Sequence, residues 1–378
     1  MTAQQSSIPV SSRVGKFSYA IRNIVVEAQR VEAAGTRVRY LNIGDPVQFG
    51  YQPPPHLIAA VEKALRDGDN GYGPSAGLLS AREAVAAAHT ANGWPISPER
   101  VFITSGTSEG IELALTALLD EDGEVLVPLP TYPLYTAIIA KLGATARYYR
   151  CDPARNWVPD VEHLDSLVTP NTRAIVIIDP NNPTGATYDV ETRRGLLAFA
   201  ARHGLAILAD EVYADIGYDG AVPPLGVLDP DAPIISFSSL SKAYLAPGWR
   251  TGWLSIGRSR RLDDLAVAIR KLADARLCGT IPMQHAVTAA LTGDKSHQAR
   301  FRADLRERAT VTTQALRAMP GVTCMQPTAG FYAMPRIPLP PGRTDEDYVL
   351  GLLRATGVLV VYGSGFGLPA DQGYLRIV

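Results

Sequence analysis

The chain has 378 residues, room for about two or three domains. Its 36 basic and 37 acidic residues leave no basic field for nucleic acid or an anionic membrane. No apolar run approaches the roughly 20 residues that span a bilayer.

Met1 to Val26 holds no acidic residue, is rich in Ser, and carries Arg13, Lys16 and Arg22. That pattern fits a transit peptide or an arm laid over a binding site, and the arm is the favoured reading. Residues 28–34 then predict a helix and 38–42 a short strand. Short apolar runs at 101–104, 124–127, 174–178, 206–209, 234–237 and 252–256 predict buried strands. Helical spacing of apolar residues fills 109–119, 134–142, 190–202 and 261–273. This alternation implies an α/β domain with a mostly parallel sheet, and a ligand beyond the carboxyl ends of its strands. A long helix over 298–319 and short strands near 322–325, 330–334 and 358–361 predict a second, smaller α+β domain built from both termini. The Pro-rich stretches 52–55 and 338–341 predict loops. Cys151, Cys278 and Cys324 are far apart, lack metal-ligand spacing and predict reduced thiols of a cytoplasmic protein. The six histidines form no ligand pair, so no metal is expected.

The polar clusters follow the predicted strands. Ser105-Gly106-Thr107-Ser108 would open a helix, where backbone N–H groups and the helix dipole attract an anion. The same residues are also an ordinary N-cap. Tyr132, in Pro130-Thr131-Tyr132-Pro133, could stack on a planar ligand or simply pack. Asp179-Pro180-Asn181-Asn182-Pro183-Thr184-Gly185 makes a stiff turn that would present Asn182. Asp210 could meet a ring nitrogen, with Tyr213 near by, or cap a helix. In Ser236-Phe237-Ser238-Ser239-Leu240-Ser241-Lys242, a lysine sits among hydroxyls, and Arg250 follows eight positions later. A partly desolvated lysine loses proton affinity and attacks aldehydes. Hydroxyls and a guanidinium bind phosphate. Lysine, hydroxyls and arginine together point to pyridoxal 5′-phosphate (PLP), an aldehyde bearing a phosphate. An exposed lysine in a Ser-rich loop is the alternative for that segment alone.

In this order along one α/β chain, the NNPTG, DEVY and SxSK…GWRxGW motifs resemble the fold-type I, class I/II PLP-dependent aminotransferases over nearly the whole length. The resemblance implies a PLP-dependent transferase fold type I. Its large domain would hold a mostly parallel seven-stranded sheet. Residues 1–45 would form the arm and part of the small domain, 46–297 the large domain, and 298–378 the rest of the small one. Lys242 would carry the cofactor as a Schiff base. Asp210 would pair with its pyridine nitrogen, Tyr213 and Asn182 would contact its O3′, and Tyr132 would stack on its ring. Gly106, Thr107, Ser108, Ser239, Ser241 and Arg250 would surround its phosphate. Tyr72 resembles the tyrosine that reaches the phosphate of a neighbouring subunit, which implies a homodimer with shared sites. Arg376, in Gly373-Tyr374-Leu375-Arg376, resembles the arginine that grips the substrate α-carboxylate, and the Gly44 backbone would border the substrate. Tyr19, Asn42 to Gly50 and Arg276 to Pro282 are similar to the alanine transaminase-like branch, in which the arm's tyrosine closes over the side chain. Family members continue past the Arg376 motif with a helix, whereas this sequence stops at Val378; either the sequence is truncated or the small domain lacks that support, and a true end would weaken the small domain and loosen the hold of Arg376.

The resemblance implies ping-pong transfer of an amino group between an L-amino acid, alanine first, and a 2-oxo acid, 2-oxoglutarate first. Lys242 would act as base and then acid. A carbon–sulfur β-lyase, a cyclopropane-forming synthase, or an aminotransferase for aspartate or aromatic amino acids would share the cofactor residues. An acidic side chain would need a second cation, for which Arg276 is a candidate from the partner subunit. A PLP-sensing regulator would need a DNA-binding domain, for which the chain has no spare length. A dinucleotide oxidoreductase would need a GxGxxG turn, which is absent.

Overall fold

The computed structural model describes residues 8–16 and 20–378. From the amino end, the chain runs through α1 (Ala20–Ala33), β1 (Arg39–Tyr40), α2 (Pro55–Asp67) and α3 (Leu79–Ala91). Next come β2 (Val101–Thr104), α4 (Gly106–Leu118), β3 (Glu124–Leu129), α5 (Pro133–Leu142), β4 (Thr145–Asp152), β5 (Val158–Pro159) and α6 (Val161–Asp165). They are followed by β6 (Thr172–Ile178), α7 (Val190–His203), β7 (Ala206–Asp210), β8 (Ile234–Ser239), β9 (Gly252–Ile256) and α8 (Asp263–Ala275). The chain closes with α9 (Ile281–Thr292), α10 (Ser296–Arg317), α11 (Asp345–Thr356), β10 (Val358–Leu359), β11 (Val361–Tyr362) and β12 (Leu375–Arg376).

The main sheet has the order β2-β9-β8-β7-β6-β3-β4-β5. From β8 to β4 the neighbours are parallel, while β9 runs antiparallel to both β8 and β2. Alternate residues of each strand point to opposite faces. Ile175, Ile177 and Ile207 enter one apolar layer, and Val176, Ile178 and Leu208 enter the other. Burial on both faces is why these strands read as unbroken apolar runs. Each fully buried Ile or Leu contributes about 1.5–3 kcal/mol. Because β9 is reversed, Gly252 lies opposite both Thr104 and Ser239. Residues just before β9 therefore meet those just after β2 and β8.

Seven strands were expected in this sheet and eight are present. The eighth, β5, is a two-residue strand paired antiparallel to β4 at the edge. β4 itself escaped the sequence reading because Thr145, Arg147 and Arg150 interrupt its apolar character, as an edge position permits. The helices α2, α3 and α9 were not foreseen either. α1 begins earlier than predicted: its Ile24-Val25-Val26 run favours strand in isolation, but Ile24 and Ala28 pack one turn apart into a common core. That core joins them to Val38, Val349, Leu353, Leu359 and Leu375, so the two chain ends build one cluster. β1 pairs with β10 and β11 with β12. The segments near 323 and 333 make single bridges, Thr323 to Arg336 and Ala333 to Ile377, in place of full strands.

A buried ion pair fixes the loop after β6. Arg193 Nε on α7 lies 3.2 Å from Asp179 Oδ2, and each side chain is 5% exposed. The Tyr188 N–H also donates to Asp179 (3.2 Å). Burial pushes the Asp179 carboxyl up to about 7 against the pull of Arg193. Arg193→Met leaves this acid without its cation and should cost about 3 kcal/mol, the low end for a broken buried pair, because the acid can protonate. Wild-type Asp179 already holds its proton below about 7, and without Arg193 it holds the proton to still higher pH, so the loss relative to wild type grows as pH rises from about 7 to about 9. Urea unfolding across that range checks both magnitude and sign.

Candidate active site

A cavity of about 490 Å³ opens at the carboxyl ends of the parallel strands. One end is built around the start of α4. Gly106 has φ +72°, and a Cβ there would collide with the Arg250 guanidinium. A Cβ on Gly252 would lie 2.7 Å from Thr107 N. These two glycines let β9, the α4 terminus and Arg250 come together. Thr107 Oγ1 donates to Ser238 O (3.3 Å), and Ser241 N donates to Ser239 Oγ (3.2 Å). The first amides of α4, three hydroxyl side chains and one guanidinium thus form a cradle for an anion.

The far wall carries the groups of the central strands. Asp210 ends β7 with its side chain buried. Tyr135 on α5 donates to its Oδ2 (3.1 Å) and Val212 N to its Oδ1 (3.3 Å). No cation lies within 4 Å of Asp210 among the described residues. Burial pushes its carboxyl up to about 6, and the two hydrogen bonds oppose that rise. Tyr213 is buried, its hydroxyl 2.6 Å from that of Tyr332. Tyr132, the residue that precedes α5, also lines the cavity.

Lys242 Nζ donates to the Gly44 carbonyl (2.7 Å) and lies over the Phe331 ring, 5.4 Å from its centroid. Desolvation first, then the charges of Arg376 and Arg250, bring its ammonium down to about 8, while Asp45 works the other way. Arg376 is 2% exposed. It donates to Asn182 Oδ1 (3.0 Å) and to the Asn42 carbonyl. Its guanidinium carbon sits 4.7 Å from the Tyr332 ring centroid and 4.8 Å from that of Phe366. Asn42, Asn182 and the Tyr332 and Phe366 rings surround the Arg376 guanidinium.

Of the site residues expected from sequence, all but Gly106, Tyr72 and Tyr19 line this one cavity. Gly106 stands behind Arg250. Tyr72 is 86% exposed on the surface of this chain. Tyr19 lies outside the described residues. Arg276, weighed as a second cation, is paired with Glu109 (3.0 Å) and donates to the Ile103 carbonyl (2.8 Å). Sequence reasoning missed Tyr135, although it stands three residues after Tyr132 at helical spacing. It also missed Tyr332 and Phe366, which no motif marks, and gave no role to the Asn42 carbonyl, although Asn42 opens the segment that holds Gly44. The donor set suits a flat molecule with a phosphate at the α4 end, a basic ring nitrogen at Asp210 and an aldehyde at Lys242.

The family described as aminotransferase class I and II matches residues 37–378. The alanine aminotransferase of Mycobacterium tuberculosis is 38% identical over 99% of this chain and 89% of its own length. The glutamate-pyruvate aminotransferase AlaA of Escherichia coli is 37% identical, over 99% and 94%. Among solved structures, an alanine aminotransferase from Pyrococcus furiosus superposes with a TM-score of 0.95 at 38% identity, covering 98% of this chain and 94% of the other.

The hydrogen bond from Tyr135 favours the charged form of Asp210. Tyr135→Phe should therefore raise the titration of Asp210 above about 6, by about half a unit to one unit. Carboxyl carbon NMR of the cofactor-free protein reads this directly, and an unmoved resonance would refute the pairing.

Proposed function

Because the chain belongs to the aminotransferase class I and II family, we propose that it transfers an amino group from L-alanine to a 2-oxo acid, 2-oxoglutarate first, with PLP held at Lys242. The observation that carries this reading is the meeting of Lys242, Arg250 and Arg376 in one cavity with a buried, cation-free Asp210. Relatives named for alanine, or for glutamate and pyruvate, support the choice of substrates.

When bound, PLP supplies an aldehyde that takes the amino group and a conjugated ring that accepts the electron pair left as the α-carbon loses its proton. Arg250, Ser239, Ser241, Ser108 and the amides of Gly106 and Thr107 hold its phosphate. Asp210 keeps the ring nitrogen protonated. Tyr213 and Asn182 would contact its phenolic oxygen, and Tyr132 would stack on its ring. Arg376 takes the substrate α-carboxylate as a fork of two N–H donors, with the Gly44 backbone alongside. That grip fixes the α-carbon against Lys242. With a proton affinity near 8, Nζ is neutral in a useful fraction of molecules at neutral pH. It would therefore be placed to take the α-proton and to return it, as base and then acid. Under this reading alanine leaves as pyruvate and 2-oxoglutarate as glutamate.

The three cations are each committed to phosphate, amine or α-carboxylate, which suits a donor with an uncharged side chain. The second carboxylate of 2-oxoglutarate needs a further cation, and this reading places it in a partner subunit. The chain would work as a homodimer, with Tyr72 of each subunit reaching the other's phosphate and Tyr19 closing over the substrate. Residues 1–45 and 298–378 would form a small domain on the large one of 46–297. A cytoplasmic location accords with the free cysteines and with the lack, among the described residues, of a helix long and apolar enough to cross a membrane.

Addition of L-alanine alone to the PLP-loaded protein should abolish its visible absorbance and release one pyruvate per site, with no further turnover until a 2-oxo acid is added. Continued release of pyruvate and ammonia without a 2-oxo acid would make it a lyase. A Lys242→Ala protein should lose at least about a thousandfold in rate, since it lacks the proton carrier. Wild-type turnover by that variant would end this assignment.

A further inference from the structure

The Gly330-Phe331-Tyr332 segment sends one side chain to three parts of the site. Tyr332 is buried. Its hydroxyl lies 2.6 Å from the Tyr213 hydroxyl, and its ring face lies 4.7 Å from the Arg376 guanidinium carbon. A Cβ on Gly44 would come within 2.6 Å of Tyr332 Oη. The glycine whose carbonyl receives Lys242 therefore also makes room for this hydroxyl. Gly185 does the same for the Tyr332 backbone, since a Cβ there would lie 2.8 Å from its carbonyl. The Asn182 turn and the Tyr332 segment are thus locked together.

We propose that Tyr332 is a positioning residue with two separable ends: its hydroxyl donates to Tyr213, aiming the Tyr213 proton at the cofactor's phenolic oxygen, and its ring backs the Arg376 guanidinium that receives the substrate carboxylate. This rests on the PLP reading of Lys242. A phenol has one proton to give. If Tyr213 spends it on the cofactor, its own oxygen must accept, and Tyr332 is in place to donate. A hydroxyl that accepts one hydrogen bond donates a stronger one. The stronger donor stabilises the ring oxyanion, so the loaded Lys242 gives up its proton at lower pH. At the other end, the aromatic face attracts the desolvated guanidinium and restricts its plane.

Two substitutions separate the ends in PLP-loaded protein. Tyr332→Phe keeps the ring and loses the hydroxyl. The pH midpoint of the visible absorbance should rise by about half a unit to one unit, while half-saturation by L-alanine stays within about twofold, because the cation–π face survives. Tyr332→Leu loses both; it should show the same spectral shift and need about tenfold more L-alanine. Asp45, Arg250 and Arg376, the charges that face Lys242, as well as Asp210, are unchanged in all three proteins, so the shift reads the hydroxyl. A purely structural role would lower Tm without this split. A wild-type midpoint in Tyr332→Phe, or equal half-saturation in the two variants, overturns the proposal. A wild-type protein that takes up no PLP overturns the cofactor assignment instead.

Discussion

Three cations, Lys242, Arg250 and Arg376, share one cavity with two carboxylates, Asp45 and Asp210. Like charges gathered in a poorly solvated space repel, and the lysine is the group that can respond by releasing a proton. Its drop to about 8 begins with burial and is deepened by the two arginines. An anion bound in the α4 cradle or against Arg376 would offset one of those charges and return proton affinity to Nζ.

Holding such charges in place needs walls that do not relax. The reversed β9 supplies one wall, since it alone lets Arg250 lie beside the start of α4 and the end of β8. The loop after β6 is held by Arg193 and Asp179. Glu211, next to Asp210, is buried and accepts from Leu225 N (2.6 Å) and Ser236 Oγ, which fixes the backbone on which Asp210 stands. Asp179, Arg193 and Glu211 lie outside the cavity lining, yet they set where the lining groups can point.

The fold and much of the site were legible because strands buried on both faces leave unbroken apolar runs, and each run ends where a polar cluster begins. The α4 cradle, Asp210, Asn182, Lys242 and Arg250 all follow or flank such a run. β4 was hidden by its exposed, charged positions, and the paired segments of the chain ends are too short for a period to show. Tyr135 and Tyr332 were hidden for another reason. A tyrosine in an apolar context reads as packing, and only the meeting of hydroxyls from distant segments reveals a hydrogen-bonded role. Arg276 shows the converse: a cation near the right motif is consumed by Glu109 and a carbonyl.

The cavity also divides by origin. The anion cradle, Asp210 and Lys242 come from the central sheet and its loops, between residues 106 and 250. The Gly44 carbonyl and Arg376 come from the two chain ends, which pack on each other through the core around Ile24, Val349 and Leu375. Asn182 bridges the two sets through its bond to Arg376, and Tyr332 does so through Tyr213.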